Sequence, residues 1–575
     1  MKRNTLTTAV MAGLTGVAGM MSVANAVNIN PDGLGQVLLY PYYTTRGGND
    51  TLISVVNTTS NAKSVKIRFL EGRNSREVLD FNIYLSAYDV WTGALTEQPG
   101  STPETTGTYL ITRDTTCTVP YFYGESAAAG DDPVVGRVDF KDFEFISFPP
   151  PVDVDNTDRG GSDLERVQSG YFEVIEMGTL VDDATDETDP FGFAPTISRN
   201  SATAVTHTDG VPADCQQLVD AWTPRENNPN RPFDLNSYFL PGEINPDTGE
   251  VENPDFAGFG PFVDHESPSG GLFGAASIVN VNEGTLLSYN AEAIDNWTTR
   301  VEHTDPGRTK PTLVDGSVLE SAVFISGTQT VRTAVWNNAA QSVNAVLMNN
   351  EVMNEYAINP LLEGKTEWVV TFPTKRFHVD PAIVTTAINP FSVVFGSDED
   401  NPGSCEPVTF RLWDREEGEL REEAPGSGGV IPSPRPPGFT PEPETFDLCW
   451  EANVIRFVDE DATTPGNTEI LGENRFSTIP LPVDIVGGEV TGFSAGWMQL
   501  SFDPESIDPA LGFPADARRQ SSLDGDDYVG LPVIGFQAAT ISNNTLIVDG
   551  EAVLSNYGGT FKHRGSRRIE LTPTP

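Results

Sequence analysis

The chain is poor in positive charge. Its 575 residues include 35 lysines and arginines, of which only eight are lysine, against 82 aspartates and glutamates, and the formal net charge is −47. Like charges repel, so this balance argues against nucleic acid and anionic lipid as partners. Abundant acid with little lysine also fits a surface adapted to high salt, which is a hypothesis about the habitat and says nothing about the fold.

Long apolar runs are scarce as well. The one clear run is N-terminal, where Lys2 and Arg3 precede the small and apolar stretch Leu6–Met21 and the A-x-A sequence Ala24-Asn25-Ala26. This order predicts a secretory signal peptide, residues 1–26. No later stretch is long and apolar enough to span a bilayer. We therefore expect the mature chain to be exported to the periplasm, the cell surface or the medium, without a transmembrane segment.

Cysteine is limited to four residues, Cys117, Cys215, Cys405 and Cys449. An even number in an exported chain predicts disulfides, and four cysteines allow three pairings. We favour Cys117–Cys215 and Cys405–Cys449, because each bond then lies within one half of the chain. The spacings are too long for a CxxC zinc or thioredoxin motif, which argues against redox catalysis.

Alternation of apolar and polar residues is the strongest pattern present. Over residues 35–95, runs such as Val65–Phe69 and Leu79–Leu85 are separated by turns rich in Gly, Asn and Asp. A period of two predicts half-buried strands, and short strands at this spacing predict an antiparallel sandwich. Residues 318–380 repeat the pattern. We predict a mainly β protein of two antiparallel sandwich-like (Ig-like) units with long acidic loops and a few short helices.

The predicted organisation has two regions. The N-terminal sandwich region covers 27–310 and carries acidic loop insertions, and the C-terminal region covers 311–575 and contains a Pro-rich excursion at 423–444. Apolar residues at helical spacing predict a helix over Cys215–Trp222. A second helix is expected over Leu286–Trp297, whereas Val343–Met348 is expected to be a strand.

The sequence contains one match to the GxSxG motif of serine hydrolases. Gly492–Gly496 matches GxSxG, and His563 follows downstream. In α/β-hydrolases the serine lies on a strand-to-helix turn, but here Trp497–Phe502 continues as a strand. We therefore favour a glycine-rich β bend over a serine hydrolase that uses Ser494 and His563. The tripeptide Asp247-Thr248-Gly249 lacks the second copy that an aspartic protease needs.

The five histidines form no zinc motif. They are His207, His265, His303, His378 and His563, and they match neither HxH nor HExxH. A zinc hydrolase is therefore unsupported. We expect His207 and His303 at the surface or in loops, because they lie beside Thr and Asp in turn-like sequence.

Acidic clusters are the one feature that suggests a bound ion. The first consists of Asp153, Asp155, Asp158 and Asp163, and the second of Asp524, Asp526 and Asp527. Closely spaced aspartates in a turn supply several of the six to eight oxygens that Ca²⁺ prefers. The first cluster is no EF-hand, since Asp158 stands where that loop needs glycine. Calcium is a candidate cofactor, and a solvated acidic loop is the alternative.

Six stretches resemble a family of uncharacterised exported proteins of Gram-negative bacteria, to which no function is assigned. They are Leu38–Tyr43, Asp50–Thr58, Val65–Trp91, Gly170–Gly178, Gly270–Gly274 and Glu367–Arg376. The resemblance extends over most of the mature chain. It implies export and one architecture over the full length, and it implies no catalytic residues.

Together these features predict a non-enzymatic envelope or extracellular protein with a role in surface structure, adhesion or assembly. Its partner would be an envelope component or a glycan. A glycan- or calcium-binding module is the alternative: exposed aromatics such as Tyr42, Tyr43 and Trp297 would stack on sugar rings, although we favour core positions for them. The serine hydrolase is the second alternative.

Overall fold

A computed structural model describes residues 25–119, 136–139, 163–182, 201–222, 265–304, 310–325, 330–396, 403–420, 444–461, 466–507, 517–542, 547–548, 551–552 and 556–571. The fold is mainly β with antiparallel sheets, as predicted. Five predicted features lie outside the described residues. They are the signal peptide up to residue 24, Asp153, Asp155 and Asp158, the acidic loops apart from their ends, Asp247-Thr248-Gly249, and the excursion up to residue 443.

The first sandwich is built from two sheets. In spatial order, sheet I consists of Asn28–Ile29, Glu292–Asp295, Val37–Thr44, Ser169–Leu180, Ala62–Glu71, Glu77–Leu85 and Cys117–Val119, and His265–Glu266 also pairs with Ser169–Leu180. Sheet II consists of Thr285–Asn290, Leu272–Asn280, Asn49–Asn57, Val90–Gln98, Gly107–Thr112 and Gly136–Asp139. Ile67 and Phe69 from sheet I meet Val55 and Trp91 from sheet II in one core. The alternation predicted over residues 35–95 therefore corresponds to paired strands.

The second sandwich also has two sheets. Sheet III consists of Glu444–Leu448, Glu406–Asp414, Ala495–Ser501, Glu351–Ala357 and Arg564–Ser566. Sheet IV consists of Phe476–Leu481, Ala452–Asp459, Lys365–Thr371, Ile534–Ile541 and Tyr557–Lys562, and its first two strands are parallel. Trp368 and Phe457 of sheet IV pack with Leu412 and Met498 of sheet III. The predicted second sandwich is thus present.

The central strands of sheet IV are buried on both faces. Trp368 and Val370 lie in the core of the second sandwich, whereas Val369 and Phe536 belong to the core of the first. The rings of Tyr289 and Phe536 stack across this contact with centroids 4.7 Å apart. The two sandwiches therefore bury apolar surface against each other. This burial stabilises their contact by about 25 cal/mol per Å² of apolar area.

The remaining elements are short. The small sheets are Glu320–Ile325 with Thr330–Val335, Val483–Val486 with Glu489–Gly492, His207–Thr208 with Val211–Pro212, Met348–Asn349 with Leu531–Pro532, Ile547–Val548 with Glu551–Ala552, and the three strands Arg519–Ser521, Asp527–Val529 and Arg568–Glu570. The α-helices are Ser201–Ala204, Cys215–Trp222, Ala339–Leu347 and Arg376–Val379. Single 3₁₀ turns lie at Arg46–Gly48, Pro103–Thr105, Leu164–Gln168 and Pro504–Ser506.

One predicted strand is wrong. Val343–Met348 belongs mostly to the helix Ala339–Leu347. Asn338 caps that helix, because its side chain accepts a hydrogen bond from the Gln341 amide at 3.0 Å. Valines favour strands only weakly, and tertiary burial of one helix face overrides that preference.

One predicted helix is also wrong. Leu286–Trp297 instead contains the strands Thr285–Asn290 and Glu292–Asp295. Pairing with Leu272–Asn280 and with Val37–Thr44 decides the outcome, because it supplies ladder hydrogen bonds that a helix would forgo. The helix predicted over Cys215–Trp222 is confirmed.

Both favoured disulfides are present. Cys117 at the start of a sheet I strand bonds Cys215 at the start of its helix, and Cys405 bonds Cys449. Two disulfides are consistent with an exported protein. Among the described residues, no helix is long and apolar enough to cross a membrane.

Candidate functional site

The GxSxG sequence forms a β bend, as we favoured. Gly492 ends a hairpin strand at φ 75°, a conformation that suits glycine. The next strand begins at Ala495, and a side chain on Gly496 would overlap the Trp413 carbonyl oxygen of the neighbouring strand. Ser494 is buried, and its own carbonyl accepts from the Ile358 amide at 2.8 Å. Backbone geometry therefore accounts for both glycines.

His563 has partners other than Ser494. Its Nδ1 accepts from the Asn354 side chain at 3.1 Å, and its Nε2 donates to the Val369 carbonyl at 2.9 Å. Burial lowers the pKa of His563 to about 4, although the Val369 carbonyl opposes that shift. Within the described part of the chain, no hydrogen bond joins Ser494 to His563. The two ring nitrogens instead link Asn354 of sheet III to Val369 of sheet IV.

The second acidic cluster binds protein donors. Asp526 is buried and accepts from Arg332 Nε at 2.6 Å, and Asp524 accepts from the Val335 amide at 3.0 Å. Asp527 accepts from the Ser521 hydroxyl, and Asp163 of the first cluster is exposed. Across the described ranges, no three His, Cys, Asp or Glu side chains come together to hold a metal ion. The calcium site at Asp153, Asp155 and Asp158 stays a prediction.

The expectation that His303 lies at the surface is wrong. It is 1% exposed and stacks on His265 with ring centroids 4.2 Å apart. Its Nε2 lies 3.0 Å from the Tyr84 hydroxyl. Burial, followed by His265 and then Lys66, lowers the pKa of His303 well below its ordinary value. His207 is half-buried at the surface and meets the Ser86 hydroxyl at 3.1 Å.

The aromatics named for sugar stacking lie in the core. Tyr42, Tyr43 and Trp297 are 1%, 0% and 0% exposed. The Trp297 indole donates to the Leu313 carbonyl at 2.8 Å, and the Tyr43 hydroxyl donates to the Val167 carbonyl at 3.1 Å. All three side chains are buried, so the core positions that we favoured for them are confirmed.

A buried ionic junction lies where the two sandwiches meet. Glu473 accepts hydrogen bonds from the hydroxyls of Ser169 at 2.6 Å and Tyr42 at 3.1 Å, and it lies 3.7 Å from Arg46. Burial alone would raise the pKa of Glu473, but the charge of Arg46, the Ser169 hydroxyl and the backbone amides of Asn474 and Arg475 lower it. The adjoining cavity is about 20 Å³, room for about one water molecule. These charges have a structural role at the junction.

The open surface of the first sandwich is the outer face of sheet II. The outer face of sheet I is covered, since Val37 and Ile175 pack under Trp297 and Leu313. On sheet II the buried residues alternate with an uncovered row, so Leu52 is 46% exposed while Ile53 is buried. A groove of about 530 Å³ follows this face.

The groove carries almost no charge. Two rows of paired residues line it, Ala275, Ser54 and Thr92, and Ser277, Leu52, Ala94 and Ile111. The next row on the same face, Phe273, Val56 and Val90, lies beside the groove. Small side chains and hydroxyls form its floor. Among the described residues, Arg113 is the one charged residue that lines the groove, and Asp50 and Asp114 lie at its borders. In a chain of net charge −47, a face with so little charge is well suited to close contact.

The chain matches no protein-family model, and no curated protein or solved structure is significantly similar to it.

Proposed function

We propose that the protein is an exported, non-enzymatic component of the cell envelope or its exterior, and that it acts in surface structure, adhesion or assembly through the outer face of sheet II. The groove on that face, in which Arg113 is the one charged lining residue of the described chain, is the observation that carries the proposal. The two disulfides support an exported location.

The physical argument is one of desolvation. Covering Leu52, Val90 and Phe273, which are 46%, 45% and 41% exposed, removes apolar surface from water, and none of these three side chains carries a charge that must be desolvated. Elsewhere an approaching acidic molecule meets the repulsion of a strongly negative chain. We therefore assign the groove a partner protein with an apolar, uncharged surface.

Location and contact are tested together. Cells producing the wild-type chain are fractionated, and intact cells are treated with protease to separate surface from periplasm. The variant Leu52→Glu/Ala275→Glu places two charges in the groove, and Leu361→Glu is the control because Leu361 is 53% exposed in a turn of the second sandwich. We expect the groove variant to be folded but released from the envelope fraction, with the control retained. Retention of all three would contradict the proposal.

A further inference from the structure

Two tryptophans stack on the solvent side of sheet III. Trp413 and Trp497 are paired across neighbouring strands, and their ring centroids are 4.2 Å apart with planes at 15°. Their chain neighbours Leu412 and Met498 are fully buried, so both indoles point away from the core. Trp497 is 39% exposed. The stack is therefore a surface feature of the second sandwich.

The stack has one closed end and one open end. The guanidinium carbon of Arg411 lies 5.2 Å from the ring centre of Trp413, and its Nε donates to Glu419 at 2.8 Å. Trp413 therefore lies between Arg411 and Trp497, and its two faces are occupied. Trp497, which is 39% exposed, is the solvent-facing member of the stack, and its exposed surface is the open end.

Hydrogen-bonding groups border the open end. Register places the exposed Glu355 opposite Trp497 on the next strand, and Gln499 opposite Arg411. A flat apolar ring beside a carboxylate and an amide is the arrangement that binds a sugar ring. A sugar ring presents an apolar C–H face, which covers an indole, and hydroxyls at its edge, which bond such groups.

Charge narrows the ligand class. A net charge of −47 and the exposed Glu355 repel phosphorylated, sulfated and uronic-acid chains. The contact between the two rings alone would stabilise the fold, and it does not require a Trp497 side chain that is 39% exposed. We propose that Trp497, supported by Trp413 and Arg411, is a binding site for a neutral glycan. This site lies on sheet III and is independent of the groove on sheet II.

The test uses the mature chain, residues 27–575, and defined sugars. Binding of cellohexaose, chitohexaose, maltohexaose and xylohexaose is measured by calorimetry, with polygalacturonic acid as the charged comparison. We expect at least one neutral sugar to bind and Trp497→Ala to weaken it at least tenfold. The matched control is Phe561→Ala, which removes a 62% exposed aromatic from sheet IV and is expected to bind as the wild type.

A second readout needs no variant. N-bromosuccinimide oxidises exposed indoles, and mass spectrometry follows the Trp497 peptide with and without the bound sugar. Protection of Trp497 supports the proposal even if Trp497→Ala does not fold. Absence of binding by every neutral sugar, equal binding by Trp497→Ala, or oxidation of Trp497 at an unchanged rate would overturn it.

Discussion

The carboxylate of Glu71 accepts hydrogen bonds from both Nε and Nη2 of Arg166, each at 2.8 Å. Both side chains are buried, and 95 residues of chain separate them. The backbone amides of Arg73, Asn74 and Arg76 donate to the same carboxylate at 2.8, 2.9 and 3.0 Å. One carboxylate thus holds both a tight turn and the segment that leads into the Ser169–Leu180 strand.

Loss of Arg166 should be strongly destabilising. Arg166→Met leaves the Glu71 charge buried without its guanidinium, which costs about 3–5 kcal/mol. Arg300→Met is the control, because Arg300 pairs with Glu302 at the surface with 64% of its side chain exposed. We expect a clear fall in the urea midpoint for Arg166→Met and almost none for Arg300→Met. Equal midpoints would show that the buried pair contributes little.

Stability should depend on pH through His563. Burial lowers its pKa to about 4, so the unfolded chain, with a pKa near 6.5, binds the proton more readily. The stabilisation is complete above pH 6.5 and is lost as the pH falls towards 4, up to about 3 kcal/mol. Melting temperatures of the wild type and His563→Gln are compared from pH 4 to 8. The gap should narrow on acidification, and a constant gap would contradict the assignment.

Both disulfides should form in the mature protein. A non-reducing digest is expected to yield the Cys117–Cys215 and Cys405–Cys449 peptides, with no reactive thiol in denaturant. Replacing one pair by serine opens a closed loop in the unfolded chain and raises its conformational entropy, which typically costs about 2–5 kcal/mol of stability. Crossed peptides such as Cys117–Cys405 would disprove the pairing.

Gly496 of the GxSxG sequence should be required for the close pairing of two strands in sheet III. Gly496→Ala pushes a methyl group into the Trp413 carbonyl and separates two strands of sheet III, which costs about 1–3 kcal/mol or more. Gly559→Ala is the matched control, since an added Cβ there meets nothing within 4 Å.

The chain should not react with a fluorophosphonate probe through Ser494. Labelling of the wild type and of Ser494→Ala is expected to be the same, at background level. Labelling that depends on Ser494 would restore the hydrolase hypothesis.

Part of the site could have been anticipated from the sequence. Successive side chains of a strand point to opposite faces of the sheet, so Trp413 and Trp497 lie on the opposite face to their neighbours Leu412 and Met498. If Leu412 and Met498 are assigned to the core, both tryptophans are expected to face outward. Their distance apart is not local information, because it depends on a pairing between strands more than 80 residues apart in the chain. The groove was harder to predict from the sequence. The mostly apolar run Leu52–Val56 does not reveal which face of its strand is covered.

Period-two alternation, turn residues and cysteine count are local properties, and they were enough to predict the mainly β fold, both sandwiches and the disulfide pairing. Tertiary structure decided the rest. Ala339–Leu347 became a helix and Thr285–Asn290 a strand because burial and ladder pairing outweigh weak local preferences. His303 went into the core and Trp497 to the surface for the same reason, since burial depends on which distant segments fold against a residue.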